Sequence, residues 1–320
     1  MRGPQTEETV MRAVPTMEFI GVSTKRSSIM RIFPRWAEVL GLGDARLEGR
    51  NLPLDASPDR YRGAVEQIRK DHLSVGALVT AHKIHLLRAA RDLFDELDPY
   101  AELTGEVSCI SKRDAKLVGH AKDPVTAGRS LEAVLAPGHF GTTGGEALCI
   151  GAGGSGTAIS VYLMTRPDPS DRPGRIVVVG KDRASLETLR EVHARLDGAS
   201  TEVEYVENAD PQVNDGLMEG LPAGSLVVNA TGMGKDVPGS PVTEGGHFPD
   251  DGIVWELNYR GELNFLQQAR RQERARNLKV EDGWLYFLHG WSEVVSEVFH
   301  LELTPERFSL LASEAQAIRG

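Results

Sequence analysis

Four closely spaced glycines carry the clearest chemical signal in the sequence, because they follow a strand-like run, residues 148–150, and precede a helical one. The first glycine of a G-x-G-x-x-G loop permits the turn, the second lets a pyrophosphate approach the backbone, and the third lets the helix pack on the strand. The N-terminus of that helix adds free N–H groups and the positive end of a dipole. The pattern predicts a dinucleotide-binding loop, and its alternative is a purely structural glycine turn. The predicted loop comprises Gly151, Ala152, Gly153, Gly154, Ser155 and Gly156.

The turn after the next strand, residues 175–179, carries charges of both signs. At this point of a dinucleotide-binding domain an acid favours the free 2′-hydroxyl of NAD, whereas a base favours the 2′-phosphate of NADP. The charge of Asp182 would repel that phosphate, but Lys181 and Arg183 bracket it and would attract the phosphate. The two cations favour NADP over NAD, with both cofactors left open. The alternative is a solvated turn without a ligand.

A third strand-like run, residues 227–229, also ends in a turn of small residues. Small side chains suit a segment that lies against a nicotinamide ring. The alternative here is an ordinary glycine turn. The residues predicted to bind the cofactor are Asn229, Thr231, Gly232 and Met233.

Other kinds of chemistry find little support in the sequence. The formal net charge of −10 argues against a nucleic-acid surface, which needs clustered lysines and arginines. No metal site is predicted, because His82 and His85 lack a Cys, Asp or Glu at ligand spacing. Neither a membrane span nor an apolar signal core is evident, so we expect a cytoplasmic protein. Cys109 and Cys149 lie in strand-like runs and are expected to be small core residues.

Apolar runs of strand length alternate with helical patterns along the chain, which is typical of βαβ units. From about residue 124 the runs become nearly continuous, as in a parallel sheet covered on both faces. We therefore predict an α/β fold with two domains: an N-terminal α/β domain of residues 1–123, and a Rossmann-type doubly wound parallel sheet in residues 124–299. Residues 1–15 are polar and expected to be disordered.

Two local patterns in the first domain give specific expectations. Apolar residues at helical spacing predict one long helix through residues 86–97, closed by Asp98 and Pro99. Residues 106–111 and 116–121 are predicted to form a hairpin that turns at Arg113 and Asp114.

In their order along the chain, several motifs resemble those of the shikimate/quinate dehydrogenase family, over roughly residues 17–310. The family's G-x-N-V-T-x-P-x-K is similar to residues 76–83, and its G-x-N-T-D-x-x-G is similar to residues 119–123 with a later glycine. The family's N-A-T-x-x-G matches residues 229–234. Its G-A-V-N-T corresponds to residues 105–109, and only the tyrosine of Y-x-P-x-x-T is kept, at residue 259.

This resemblance implies an NAD(P)-dependent dehydrogenase or reductase acting on CH–OH groups. Lys83 would exchange a proton with the substrate oxygen, beside Asp123 as the second catalytic residue. Such a lysine works when its pKa is lowered by burial and by a positive cofactor ring. The resemblance also implies that the first domain binds the substrate and that a C-terminal helix, about residues 300–320, packs back on it. The implied substrate contacts are Ser27, Thr80, Ser108 and Tyr259.

Several polar side chains of the family's substrate site are replaced in this chain. Leu78 and Ser108 stand in place of asparagines, Ile29 in place of a serine, and Gly290 in place of a glutamine. The resemblance implies a cyclic hydroxy acid such as shikimate, quinate or a relative as substrate. The replacements favour a diverged member that acts on another polar cyclic metabolite in specialised metabolism. A non-catalytic ligand-binding protein on the same scaffold is the third possibility, and a monomer or homodimer is expected in each case.

Overall fold

The computed structural model describes residues 13–196, 200–235 and 237–319 of the 320-residue chain. The described residues form twelve strands and twelve α-helices. The strands are β1 (Thr16–Gly21), β2 (Arg46–Asn51), β3 (Ser74–Val79), β4 (Glu96–Leu97), β5 (Cys109–Arg113), β6 (Lys116–His120), β7 (Ala147–Ile150), β8 (Arg175–Gly180), β9 (Glu202–Glu207), β10 (Leu226–Asn229), β11 (Ile253–Glu256) and β12 (Lys279–Glu281). The helices are α1 (Ile29–Val39), α2 (Pro58–Lys70), α3 (Lys83–Ala90), α4 (Pro99–Thr104), α5 (Asp123–Glu132), α6 (His139–Thr143), α7 (Gly154–Thr165), α8 (Arg183–His193), α9 (Pro211–Glu219), α10 (Asn264–Arg276), α11 (Trp284–Val298) and α12 (Pro305–Arg319).

These elements group into two compact units. The first contains the described residues up to Ala121 together with those from Trp291 onward, and the second runs from Lys122 to Gly290. The second unit is therefore an insertion in the chain of the first. Of the residues predicted to be disordered, 1–12 lie outside the described part of the chain. The carbonyl oxygen of Pro15 accepts a hydrogen bond of 2.9 Å from the backbone N–H of Arg46.

A mixed six-stranded sheet, in the order β2-β1-β3-β5-β6-β4, forms the first unit. β1 is parallel to both β2 and β3, while β5 is antiparallel to β3 and β6. All six residues of the central strand β1 are buried, whereas the edge strand β2 is exposed or partly exposed along its length. Because β2, β1 and β3 are parallel, their carboxyl ends lie together, and the segments that follow these three strands begin at the same end of the sheet.

The prediction of one long helix through residues 86–97 is wrong. α3 ends at Ala90, a single 3-10 turn follows, and Leu97 belongs to β4, which pairs with β6. The apolar spacing misleads because Leu86 and Phe94 pack in the same core although they come from different elements. Asp98 caps the N-terminus of α4, its carboxylate accepting a hydrogen bond of 2.7 Å from a backbone N–H three residues later.

The predicted hairpin is confirmed, because β5 and β6 pair in antiparallel register. Its turn lies one residue later than predicted, at Asp114 with φ 50° and Ala115 with φ 66°. Two successive left-handed residues give a two-residue turn whose twist matches that of the strands. Aspartate tolerates this region of backbone space more readily than alanine does.

All six strands of the second unit are parallel, in the order β12-β11-β10-β7-β8-β9. The chain winds outward from β7 to β9 in one direction and from β10 to β12 in the other, so the winding reverses between β7 and β10. Apolar clusters cover both faces of the sheet. This confirms the predicted Rossmann-type doubly wound sheet. One face carries Cys149, Val178 and Val228, and the other carries Leu148, Val177 and Val227.

Helix α12 packs against α1 within the first unit. The indole N–H of Trp36 donates a hydrogen bond of 2.9 Å to the carbonyl oxygen of Leu311. Nearby, the guanidinium of Arg35 contacts the carboxylate of Glu314 at 2.6 Å. Both Trp36 and Leu311 are fully buried, so α12 completes the core beside α1.

Candidate functional site

The glycine loop joins β7 to α7 at the carboxyl end of the parallel sheet, beside β10. Gly151 has φ +126°, and a Cβ added there would lie 2.7 Å from the carbonyl carbon of Ala230. A Cβ at Gly156 would lie 1.9 Å from the carbonyl oxygen of Gly151. The chain's own packing therefore requires glycine at both positions.

Gly153 differs from these two glycines, because no packing contact among the described residues requires a glycine there. Its φ of −82° is open to any residue, and an added Cβ would meet no atom of the described residues within 4 Å. Gly153 precedes α7, and the first N–H groups of a helix have no partner within the helix. Bare backbone beside such N–H groups is the arrangement that an anionic group needs. The loop therefore fits the pyrophosphate of a dinucleotide.

The turn after β8 presents Lys181, Asp182 and Arg183 to solvent. The carboxylate of Asp182 caps α8, accepting a hydrogen bond of 2.9 Å from the backbone N–H of Ser185. Arg183 is the first residue of α8, and its side chain remains 80% exposed. One oxygen of Asp182 is thus engaged with the helix that follows, while both neighbouring cations extend from the turn.

The turn after β10 is held by the side chain of Asn229, which is fully buried. Its Oδ1 accepts hydrogen bonds from the backbone N–H of Thr231 at 3.0 Å and from the Thr231 hydroxyl at 2.6 Å. The same hydroxyl oxygen accepts a bond of 3.1 Å from the N–H of Met233. Asn229 therefore shapes the turn from within, and Thr231, Gly232 and Met233 are the predicted residues that the turn presents.

Sequence reasoning missed a buried carboxyl group at this turn. Glu256, the last residue of β11, is fully buried and accepts 2.7 Å hydrogen bonds from the side-chain amides of Asn229 and Asn258. Burial raises the pKa of Glu256 to about 7, although these amides and the charge of Lys235 favour ionisation. The only available signal was an acid at the end of a continuous apolar run.

Lys83 is the first residue of α3, and the preceding residue, His82, is fully buried. The His82 Nε2 atom lies 2.9 Å from the Leu52 carbonyl oxygen, which can only accept, so Nε2 carries the proton. His82 Nδ1 then accepts the hydroxyl hydrogen of Tyr61 at 3.0 Å. Burial lowers the pKa of His82 and keeps the ring neutral. These bonds fix the backbone from which the partly exposed Lys83 side chain extends.

The other residue with a predicted catalytic role, Asp123, begins α5 at the start of the second unit. Its side chain is partly exposed, and Pro124 follows at a helix position where proline needs no N–H. A carboxylate in the first turn is favoured by the helix dipole.

Three of the predicted substrate residues lie in the first unit. The Thr80 hydroxyl, just after β3, donates a 3.2 Å hydrogen bond to the Ile20 carbonyl oxygen. Ser27 is partly exposed and ends the short turn after β1, whereas Ser108 is only 3% exposed. β1 and β3 are neighbouring parallel strands, so their carboxyl ends lie at the same end of the sheet. Ser27 follows β1, whereas Thr80 and Lys83 follow β3. Two residues that replace family polar groups lie in the core: Ile29 and Leu78.

Tyr259, the fourth predicted substrate residue, belongs to an aromatic cluster in the second unit. Its ring centroid lies 4.5 Å from that of Phe287 and 5.8 Å from that of Trp284. Trp284 and Phe287 stack on each other at 5.2 Å. Tyr259 is partly exposed, and its ring packs on the two buried aromatic rings.

Across the residues that the structure describes, no group of three His, Cys, Asp or Glu side chains lies close enough to hold a metal ion. Both cysteines are buried in the core, as predicted. In the same described ranges, no helix has the length and apolar character needed to cross a membrane.

Together, the doubly wound parallel sheet, the glycine loop where its winding reverses, and the separate mixed unit define a two-domain α/β protein of Rossmann type. No family model matches the chain. Among curated proteins, the chain is 31% identical over 179 residues to the NADP(+) shikimate dehydrogenase of Lactococcus lactis subsp. cremoris, covering 56% of this chain and 59% of that protein. It is 27% identical over 247 residues to the corresponding enzyme of Thermus thermophilus, covering 77% of this chain and 78% of that protein. The predicted resemblance to the shikimate/quinate dehydrogenase family is confirmed.

Solved structures agree with the fold. The ligand-free 5-ketofructose reductase of a Gluconobacter species superposes with a TM-score of 0.69 at 22% identity, over 95% of this chain and 99% of that one. The shikimate 5-dehydrogenase of Listeria monocytogenes, solved with shikimate and NAD, gives 0.71 at 19% identity, over 93% and 96%. The sequence match spans 59% and 58% of the length of two curated relatives, less than two thirds.

Proposed function

We propose that this protein is a nicotinamide-dependent oxidoreductase, which transfers a hydride between the cofactor and the CH–OH or C=O group of a small molecule. The observation that carries this proposal is Gly153, a glycine that the fold does not need, at the N-terminus of α7. The similarity to NADP(+) shikimate dehydrogenases supports the reaction type. Residues 124–299 would bind the cofactor, and residues 1–123 with the C-terminal helix would bind the substrate.

We assign the cofactor site to the three turns at the carboxyl end of the parallel sheet. The glycine loop would hold the pyrophosphate, and the turn of residues 230–233 would lie along the nicotinamide half. Lys181 would meet the 2′-phosphate of NADP, because the Asp182 carboxylate already caps α8. NADP is therefore the proposed cofactor, in agreement with the cofactor named for the curated relatives.

The nicotinamide, when bound, accepts or supplies the hydride. The residues of the chain then manage the proton on the substrate oxygen. In oxidation, the neutral Lys83 amine takes the hydroxyl proton as the carbon gives up its hydride; in reduction, the ammonium returns it. The Asp123 carboxylate would accept a hydrogen bond from the substrate hydroxyl and orient it.

A cyclic hydroxy acid or a related polar cyclic metabolite is the proposed substrate class. Ser108 and Gly290, which replace amide side chains of the family, favour a relative of shikimate over shikimate itself. We also propose that the protein works in the cytoplasm as a monomer or homodimer without nucleic acid; light scattering would give the mass.

The test is oxidation of NADPH and NADH with a panel of cyclic keto acids. We expect NADPH to be preferred and the Lys83→Met variant to lose about 10²–10⁴-fold in kcat, as for other proton-transfer residues, with unchanged NADPH affinity. Lys116→Met is the matched control, because Lys116 is an exposed lysine of the same unit that pairs with Glu96. NADPH binding without turnover of any compound would instead favour a ligand-binding protein.

A further inference from the structure

The buried carboxylate of Glu256 is surrounded by hydrogen-bond donors. Its Oε1 accepts from both the backbone and the side-chain N–H groups of Asn258, each at 2.7 Å. Its Oε2 accepts from the side-chain amide of Asn229, also at 2.7 Å. An ionised carboxylate, which only accepts, satisfies all three donors. Burial of an ionised carboxylate opposes folding unless hydrogen bonds such as these offset its desolvation.

The two asparagines continue the network into the turn after β10. The Asn258 side-chain amide donates to the carbonyl oxygens of Met233 at 3.0 Å and Thr231 at 3.3 Å. Asn229 binds the N–H and the hydroxyl of Thr231. The backbone N–H of Thr231 and the carbonyl oxygens of Thr231 and Met233 are therefore all bonded to the two asparagines. Both asparagines are in turn held by the carboxylate of Glu256.

This turn lies directly against the glycine loop. Gly151 approaches Ala230 so closely that a Cβ would lie 2.7 Å from its carbonyl carbon. Both segments follow the two strands between which the winding reverses, where ligands of such sheets bind. Any shift of residues 230–233 would therefore change the surface next to the loop.

We propose that Glu256 and Asn258 are positioning residues, which hold residues 230–233 in the shape that receives the nicotinamide half of a dinucleotide. This rests on the proposed function. Neither residue touches the ligand; each acts through the turn. The adenosine half would meet the turn after β8, which the network does not contact. Loss of the network should therefore weaken binding of the whole dinucleotide and spare a ligand that consists of the adenosine half alone.

The Glu256→Gln variant tests this directly. Gln would present an N–H₂ group to one of the amide donors, so one donor would lose its acceptor. We expect the Kd of NADPH, measured by fluorescence titration, to rise about tenfold or more, as for loss of a hydrogen bond to a charged group. The Kd of 2′,5′-ADP, measured by calorimetry, should stay unchanged. Asn258→Ala removes an amide of the same network. It should likewise raise the Kd of NADPH and leave that of 2′,5′-ADP unchanged.

Glu281→Gln is the matched control. Glu281 is a partly buried carboxyl on β12, opposite Trp255 of β11, and burial raises its pKa as well. The Glu281→Gln variant should bind NADPH and 2′,5′-ADP as tightly as the wild type does. If Glu256→Gln unfolds, as judged by circular dichroism, Asn258→Ala carries the test.

The possible failures are distinguishable. A wild-type protein that binds neither NADPH nor 2′,5′-ADP would contradict the proposed function itself. A wild type that binds both, with variants that bind NADPH equally well, would overturn the positioning role alone. Equal loss of both ligands would also overturn it, because a general structural defect would explain that result.

Discussion

Gly153 lets folding and binding be separated at one backbone position. Gly153→Ala adds a Cβ that meets no atom of the described residues within 4 Å, so the melting temperature should not fall. The same Cβ would keep a pyrophosphate from the backbone, so NADPH affinity should fall by about 2 kcal/mol, the scale of hydrogen bonds to a charged group. Fluorescence titration and thermal unfolding measure the two effects.

Gly156→Ala gives the opposite comparison within the same loop. Its added Cβ would lie 1.9 Å from the Gly151 carbonyl oxygen, so this variant should be destabilised even without cofactor. Unchanged NADPH affinity in Gly153→Ala would remove the dinucleotide assignment.

A second expectation at this scale concerns Gly290. We expect weak turnover of shikimate, because a site without the family's glutamine cannot repay the desolvation of a polyhydroxy acid. Among the described residues, a Cβ at Gly290 would approach only the Thr126 methyl group, at 3.6 Å, so the first atom of a side chain fits there. Gly290→Gln should raise kcat/KM for shikimate by about tenfold, the usual scale for one restored polar contact.

Gly63→Gln is the control for this substitution, because a Cβ added at Gly63 in α2 would have no atom of the described residues within 4 Å. It should leave shikimate turnover unchanged. Efficient turnover of shikimate by the wild type would show that the replaced side chains do not govern substrate choice.

The sequence predicts the strand, glycine loop and helix well, because the glycine spacing and the apolar runs on both sides define them together. The sequence does not show what Asn229 and Asp182 bind, because that depends on the direction of each side chain. Asn229 forms hydrogen bonds within its own turn, whereas Asp182 caps α8. Glu256 was not predicted, because an acid at a strand end is usually solvated. One of the two amides that bond its carboxylate belongs to Asn229, 27 residues away in the sequence, and no local pattern encodes that contact.

At the scale of elements, α12 contributes to the core of the first unit through Leu311. This residue is fully buried, and its backbone carbonyl accepts the Trp36 indole N–H. Leu311→Ala should lower the free energy of unfolding by about 2–5 kcal/mol, as for other buried leucines. Urea unfolding followed by tryptophan fluorescence would measure it. The neighbouring Leu310 is 42% exposed, so Leu310→Ala should have little effect; equal losses would contradict the packing of α12.

The periodicity of apolar residues predicted most helices and strands. It failed where several short elements contribute residues to one core. The helix expected over residues 86–97 is a helix, a turn and a short strand, since burial of apolar residues does not reveal which element carries them. The hairpin succeeded because two alternating runs and a short polar turn leave few alternatives.

At the scale of the whole molecule, three buried titratable groups of the second unit should make stability depend on pH. Burial lowers the pKa of His193 and of His289 from 6.5 to about 4, so their contribution is present above pH 6.5 and is lost as the pH falls towards 4. Burial raises the pKa of Glu256 from 4.5 to about 7, which acts in the opposite sense. On acidification, each histidine alone should lower the free energy of unfolding by about 3 kcal/mol. Two histidines act in this direction and one carboxyl group acts against them, so we expect a net loss of stability.

Urea unfolding at pH 7.5 and pH 5 tests this balance. His193→Gln should reduce the difference between the two pH values, whereas substitution of the exposed His72 should not. A stability that rises as the pH falls from 7.5 to 5 would show that Glu256 outweighs both histidines.

The insertion of the second unit into the chain of the first has a consequence for biosynthesis. Trp36 leaves the ribosome early, but Leu311, whose carbonyl it binds, is made about 275 residues later. At roughly 5–20 residues per second, the first unit waits about 14–55 s for its final helix. The second unit is complete before that helix exists. During this interval the face of α1 that α12 covers lacks its partner helix, and exposed apolar surface of this kind makes a partly made chain prone to aggregate.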